Sequence, residues 1–245
     1  MKKVLASLLL LAGLCAQAKP TVFPVSLSCN DMVDPVAVRD VSFSWKLRSD
    51  VRAARQTAYE LWVGSTPNCG GDVWKSGKVV SDDQLDITLP PTVTLEEGKR
   101  YFWKVRIWDG SGKVSPWTKA ASFTKSIDNS WEADWIATGK TEDGPFPYFR
   151  KTCLIGKGKV RRAVVYLCGL GCSQLYLNGR AVEPDRILDP AQTDYDKKAL
   201  YSAFDVTSLL VGGKNCIGVM LGAGWYNQDK VWGGGMTYGR PILRC

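Results

Sequence analysis

Two aromatic residues near the end of the chain combine a flat ring with a position beside bending backbone. Trp225 and Tyr226 lie in the stretch "LGAGWYNQDKVWGGG" (221–235), which also contains Trp232 and several glycines. They follow an apolar strand pattern and precede polar residues, so we expect them where a strand enters a loop. A ring held on a rigid element can stack on the apolar side of a sugar. The alternative is that Trp225 folds back over the mouth of the domain, and the sequence leaves both interpretations open.

The segment 182–197 is a long loop rich in carboxylates, and it comprises Glu183, Asp185, Asp189, Asp194 and Asp196 among other residues. Calcium binds six to eight oxygen ligands, and a loop of this kind can supply them. Asp189, Asp194 and Asp196 are therefore candidate calcium ligands, with Ca²⁺ as the one possible cofactor. Because the spacing is not that of an EF-hand, solvated acids are the alternative. Asp194 and Asn178 join Trp225 and Tyr226 as candidate carbohydrate-binding residues.

The sequence contains no histidine. This excludes a Ser-His-Asp or Cys-His nucleophile and every histidine-ligated metal site. Glycosidases use a pair of carboxylates at a fixed separation, but no such pair is recognisable in the sequence, so no catalytic residue is assigned.

The elements that must position these residues are strands. In residues 19–127 short apolar and aromatic runs alternate with turns, and "YFWKVRIWD" (101–109) alternates with a period of two, as a half-buried strand does. This pattern predicts a β-sandwich. The tryptophans of its strands are expected to pack between the sheets, and they are Trp45, Trp62, Trp103 and Trp108.

A second series of strand patterns fills residues 128–245, after the polar break at 125–145. Asn178 and Gly179 form a strong hairpin signal, because both tolerate a positive φ. The chain stops inside the apolar run "RPILRC" (240–245), so we expect the second domain to be incomplete. The predicted fold is all-β, with two consecutive β-sandwiches.

Residues 1–18 have the basic start, the apolar run and the small-residue cleavage site of a signal peptide. We therefore expect export to the periplasm or the extracellular space, and no transmembrane segment. Removing Lys2 and Lys3 lowers the net charge from +8 to about +6, a mild excess that does not favour nucleic acid as a partner. Seven cysteines remain, and the sequence does not decide whether Cys168 and Cys172 pair.

The second domain resembles the N-terminal β-sandwich module of bacterial α-L-rhamnosidases of the inverting type. The resemblance rests on the stretches "WEADWIA" (131–137), "YFRKTC" (148–153), "AVVYLCGLGCSQLYLNGRAV" (163–182), "ILDPAQTDYDKKALYSAFDVTSLL" (187–210) and "NCIGVMLGAGWY" (215–226). The first domain resembles the fibronectin-like module that precedes it, through "FSWKL", "QTAYELWVGS", "VWKSGKV", "YFWKVRIWDGSGKVSPW" and "ASFTK".

This resemblance implies a fibronectin III-like domain followed by a jelly-roll-like domain. In the family these modules precede an (α/α)6 barrel, whose acidic residues hydrolyse terminal α-L-rhamnosyl groups. The expected function is thus that of a non-catalytic N-terminal part, inactive alone. Its partners would be a rhamnose-containing glycan and the C-terminal catalytic domain. The alternative is a self-sufficient carbohydrate-binding or adhesion protein of two sandwiches.

Overall fold

The computed structural model of the chain describes residues 19–138, 146–156, 158–228 and 236–245. The predicted signal peptide (1–18) and Trp232 lie outside the described residues, and the side chains of Met236 and Thr237 are not described either.

The regular elements of the described residues are strands, apart from one 3₁₀ turn at Thr207–Leu209, and no α-helix occurs among these residues. The strands of the first half are β1 (Phe23–Cys29), β2 (Ser42–Arg48), β3 (Gln56–Gly64), β4 (Trp74–Lys75), β5 (Ile87–Thr88), β6 (Arg100–Asp109) and β7 (Ala121–Thr124). Those of the second half are β8 (Tyr148–Ile155), β9 (Val164–Leu170), β10 (Cys172–Leu177), β11 (Arg180–Ala181), β12 (Ser202–Asp205), β13 (Gly213–Gly222), β14 (Asn227–Gln228), β15 (Met236–Thr237) and β16 (Ile242–Arg244). In this part of the chain no helix is long and apolar enough to cross a membrane.

The chain divides into two compact units that are not consecutive in sequence. The first unit extends to Val33 and continues through Ser42–Leu89 and Phe102–Ala121. The second unit combines Asp34–Val41, Pro90–Tyr101 and Ser122–Cys245. The domain boundary between residues 127 and 128 stays a sequence prediction.

The first half of the chain builds two antiparallel sheets, with strand orders β1-β2-β5 and β4-β3-β6-β7. The period-two prediction for β6 is confirmed, because Trp103, Val105 and Ile107 are fully buried while the residues between them are not. The ring of Phe43 on β2 lies 4.7 Å from that of Trp103 on β6. Aromatic packing of this kind contributes to the stability of the core.

Only half of the tryptophan prediction is correct. Trp45 and Trp103 are buried, 1% and 0% exposed, and the indole nitrogen of Trp45 donates to Gln56 at 3.0 Å. Trp62 and Trp108 lie instead on the outer face, in contact with cationic side chains. The physical reason is parity, because neighbouring residues on a strand point to opposite faces and Trp103, Val105 and Ile107 already occupy the inner one.

The second unit contains a sheet of order β11-β10-β13-β8 and a sheet of order β12-β9-β16. Their inward residues form one core, which includes Leu167, Leu175, Phe204, Val219, Leu221 and Leu243. The apolar run at 240–245 supplies β16, which pairs with β9 through Ile242 opposite Leu170. The all-β class predicted from sequence is confirmed.

The hairpin predicted at Asn178 and Gly179 is present between β10 and β11, with φ values of 52° and 81°. Positive φ at both central residues is what a two-residue type I′ turn requires.

Candidate functional site

The end of β13 is where the sequence places its candidate aromatic residues, and the backbone there is tightly packed. A Cβ atom at Gly171, whose φ is 116°, would collide with the carbonyl oxygen of Gly222. The segment before β10 and the end of β13 therefore run together, and the chain then turns, with the Asn227 amide donating to the Ala223 carbonyl at 3.2 Å. Trp225 and Tyr226 lie within this turn.

Trp225 and Tyr226 have different environments. Trp225 is 41% exposed. Tyr226 is half-buried in a cluster of three tyrosines, with its ring 5.2 Å from that of Tyr195 and 5.9 Å from that of Tyr238. Burial raises the pKa of the Tyr226 hydroxyl. Tyr226 thus packs inward, whereas Trp225 presents much of its ring to solvent. The role of Trp225, as a sugar platform or as a cap over the domain, stays a prediction.

The tyrosine cluster also fixes the acidic loop. Tyr195, between Asp194 and Asp196, packs edge-on against both Tyr226 and Tyr238 at 5.2 Å. Burial raises the pKa of Tyr195 as well. The predicted sugar-binding residues Asp194 and Tyr226 therefore lie on segments joined by direct ring contact.

The candidate calcium ligands have other partners in the structure. Asp189 forms an ion pair with Arg186 at 3.1 Å, and Asp194 forms one with Lys197 at 2.7 Å. An oxygen of Asp194 also accepts the backbone amide of Asp196 at 3.3 Å. Within the described ranges, no three acidic or cysteine side chains form a group that could hold a metal ion. Calcium binding stays a prediction that no contact in the structure supports.

Asn178 does not join the other candidate residues. Its side-chain amide donates to Asn215 at 2.9 Å and its oxygen accepts the amide of Cys216 at 2.9 Å. The register pairs Leu177 with Ile217 and Cys172 with Gly222, so Asn178 lies beyond one end of β10 and Trp225 beyond the other. At about 3.3 Å per residue, the length of β10 separates them. Asn178 thus holds the hairpin to β13 in this structure.

Comparison with known proteins supplies the family. Residues 24–127 match a profile described as the Rha78A-like N-terminal immunoglobulin domain, and residues 158–241 match the α-L-rhamnosidase N-terminal domain. The chain is 33% identical to an α-L-rhamnosidase of Formosa agariphila, over 99% of this chain and 30% of that protein. The chain therefore matches the two N-terminal domains of α-L-rhamnosidases, in order.

Solved α-L-rhamnosidase structures agree with this assignment. The enzyme from Dictyoglumus thermophilum is 37% identical, with a TM-score of 0.76 over 90% of this chain and 26% of that chain. The enzyme from Aspergillus terreus is 23% identical, with a TM-score of 0.75 over 91% of this chain and 26% of that one, which supports the fold alone. The chain thus spans about a quarter to a third of the length of the α-L-rhamnosidases it matches.

The second unit also carries an open depression that no sequence prediction indicated. It lies on the outer face of the sheet β11-β10-β13-β8 and is lined by Tyr148, Arg150, Tyr176, Gly218 and Met220 among others. Gly218 is opposite both Tyr176 and Arg150, so the missing side chain leaves a notch between an aromatic ring and a cation. Strand parity relative to the buried residues Leu175 and Val219 could have identified this face from the sequence.

Proposed function

We propose that the chain is the non-catalytic N-terminal portion of an exported α-L-rhamnosidase. The observation that carries the proposal is the match to both N-terminal domains, in order, by a chain that spans 24–30% of the curated relatives named α-L-rhamnosidase. The parent enzyme would hydrolyse terminal α-L-rhamnosyl groups. General acid–base attack of water needs two placed carboxylates, which we assign to a catalytic domain outside this sequence.

The test is a hydrolysis assay on purified residues 19–245 with an aryl α-L-rhamnoside. We expect no turnover, while a full-length α-L-rhamnosidase such as the relative from Formosa agariphila serves as the active control. Turnover that copurifies with the chain and disappears when one of its acidic residues is replaced would overturn the proposal.

The coding DNA downstream of Cys245 provides a second, independent test. A reading frame that continues into further rhamnosidase sequence, directly or after one corrected base, supports the proposal. A normal terminator directly after a stop codon would favour the second candidate.

The second candidate is a carbohydrate-binding protein. The observation that favours it is the exposed ring of Trp225, whose neighbour in sequence, Tyr226, packs against Tyr195 of the acidic loop. In this function Trp225 stacks on a rhamnose ring, and Ca²⁺ held by the loop assists. Rhamnose titration should then show weaker binding after EDTA treatment, and Asp194→Ala should have the same effect. Binding that is unchanged by both treatments would remove calcium from this candidate.

A further inference from the structure

The outer face of the sheet β4-β3-β6-β7 carries tryptophans and cations in alternation. Lys104, Arg106 and Trp108 follow one another on this face of β6, because their buried neighbours occupy the other face. Trp62 projects to the same side from β3, directly opposite Lys104 in the register. Trp117, from the segment that returns after β6, stacks beside Trp62 with ring centroids 4.6 Å apart.

Together these side chains form a continuous series, which we call the tryptophan–cation ladder. Its order is Lys75, Trp62, Lys104, Trp117, Arg106, Trp108 and Lys78, and successive members are 4.4, 4.9, 5.2, 4.7, 5.3 and 4.7 Å apart, measured from the cation to the ring centroid. Each of the three indole rings in the ladder therefore has two cations over it. The sequence signal is the series Lys104, Arg106 and Trp108 on the outward-facing parity of β6, opposite Trp62 on β3.

The tryptophan–cation ladder keeps most of its positive charge. Glu60 neutralises part of it, because its carboxylate accepts from the Trp62 indole at 2.9 Å and from Arg106 at 2.8 Å. Glu60 is only 12% exposed and Arg106 is 32% exposed, so this pair forms the base of the face. Lys75 and Lys78, at the two ends, are exposed. The four cations of the ladder and Glu60 together carry a net charge of +3.

This arrangement favours a charged ligand over a neutral one. A neutral sugar stacks on a bare ring face, whereas here the cations lie over the indoles. A lysine in solvent must lose rotamer freedom when it binds an anion, and contact with an indole has already restricted it. Cations held in a row before binding lower the cost of ordering them. The ladder is thus suited to a chain of repeated negative charges.

We propose that the tryptophan–cation ladder binds an anionic polysaccharide, a glycan chain that bears carboxylate or sulfate groups. The charge and its spacing come from the structure, and the choice of a polysaccharide over a nucleic acid rests on the proposed function as part of a glycan-degrading enzyme. The ladder would hold the parent enzyme on its polymer while a separate domain acts on it.

The experiment measures binding of residues 19–245 to polygalacturonate and to dextran sulfate, by calorimetry and by electrophoresis through gels that contain the polymer. Neutral dextran and duplex DNA are the comparison ligands. The test variant is Lys75→Gln with Lys78→Gln, which removes the terminal charges and keeps all three indoles. The control is Lys46→Gln with Arg48→Gln, an equal charge change on the exposed side of β2 in the other sheet.

We expect binding to at least one anionic polymer, weakening by roughly tenfold in the test variant and by less than about twofold in the control. Binding should also fall as salt is raised, because exposed charges are screened. Thermal melting of each variant shows whether it is folded. Lys104→Gln, in the middle of the ladder, is a second test variant and should also weaken binding. An equal loss in the control variant, stronger binding to DNA, or no binding to either anionic polymer would each overturn the proposal. None of these results depends on the rhamnoside assay or on the downstream reading frame, so the two proposals can fail separately.

Discussion

At the scale of single residues, Trp225 and Tyr226 make opposite predictions although they are neighbours. Trp225 is 41% exposed, so Trp225→Ala should lower the free energy of unfolding by no more than about 1 kcal/mol. Tyr226 packs against two other tyrosines, so Tyr226→Ala should cost roughly 2–3 kcal/mol through the cavity it leaves. Thermal melting of the pair measures both effects.

Titration with rhamnose then decides the role of the exposed ring. If Trp225 is a stacking platform, its alanine variant loses affinity while its melting temperature stays near that of the parent chain. A large fall in melting temperature with unchanged affinity would show that the ring closes the domain instead.

Asp109 is a carboxylate of the first unit with several hydrogen-bond donors, and it gives a prediction about pH. Its oxygens accept the backbone amides of Thr21, Ser111 and Lys113 at 2.9–3.0 Å, and also the hydroxyls of Thr21 and Ser111. Burial alone would raise the pKa of Asp109, but these hydrogen bonds outweigh burial and hold the pKa well below its ordinary value of 3.8. The charged form is therefore the one that stabilises the fold.

We expect Asp109→Asn to lower the free energy of unfolding at neutral pH by about 2–3 kcal/mol, since an amide cannot accept this set of donors. The carboxylate's contribution is complete above pH 3.8 and is lost as the pH falls toward the lowered pKa of the folded state. The difference between the parent chain and the variant should thus shrink on acidification, as measured by urea unfolding at several pH values. Asp50→Asn, at an exposed aspartate, is the control, and a constant difference across pH would contradict the assignment.

Sequence reasoning found the candidate site only in part. It identified the strand end that carries Trp225, because the apolar run and the glycines mark that end directly. It could not place Asn178, whose amide is committed to Asn215 and Cys216, since these partners are more than 35 residues away in sequence. Long-range hydrogen bonds leave no local pattern.

At the scale of elements, the positions of the long strands can be predicted from the sequence. Which face of a strand is buried is harder to predict. The patterns at 100–109 and 148–155 coincide with β6 and β8, because long runs with a clear period are defined by their own residues. Strands such as β14 and β15, with two residues each, are too short to show a period and are defined by their pairing. Hydrophobicity alone predicts that Trp62 and Trp108 lie in the core, but parity decides which face a strand residue occupies and places both on the outer face.

Gly171 provides a prediction about the stability of the contact between β10 and β13. Its φ of 116° and its approach to the Gly222 carbonyl leave no room for a Cβ atom, so Gly171→Ala combines backbone strain with a steric clash. We expect a loss of at least about 2 kcal/mol in the free energy of unfolding. Gly212→Ala is the matched control, because nothing lies within 4 Å of its Cβ position. Equal melting temperatures for the two variants would show that the strand ends can separate without cost.

At the scale of the whole molecule, the compact units differ from a simple division of the sequence. Asp34–Val41 and Pro90–Tyr101 belong to the second unit, although they precede residue 127. Their hydrogen bonds explain this, because Val38 donates to Thr124 at 2.9 Å and Lys125 donates to Lys99 at 3.1 Å. A linear reading of strand patterns could not predict such interleaving, since it assigns each segment to the domain of its neighbours in sequence.

Glu97 makes hydrogen bonds of the same kind, which join residues 90–101 to residues beyond 127. Its carboxylate accepts the Ser130 hydroxyl at 2.6 Å and the backbone amides of Ser130 and Asn129 at 3.0 and 3.1 Å. The hydrogen bond from the Ser130 hydroxyl is the main reason that the pKa of Glu97 is lowered to about 2, and the amide of Asn129 adds to it. Residues 129 and 130 are thus tied to a segment that comes more than 30 positions earlier.

We therefore expect a fragment of residues 19–131 to melt several degrees above a fragment of residues 19–127, because only the longer one retains the contacts of Glu97. The reason can be isolated with a double-mutant cycle. In a Glu97→Ala background, lengthening the fragment from 127 to 131 should give little or no gain, whereas Glu96→Ala, at the exposed neighbouring position, should leave the gain intact. Thermal melting of the fragments under one buffer condition measures all of these effects. If the two unmodified fragments melt together, the stable domain ends at residue 127, and the contacts of Glu97 contribute nothing to its stability.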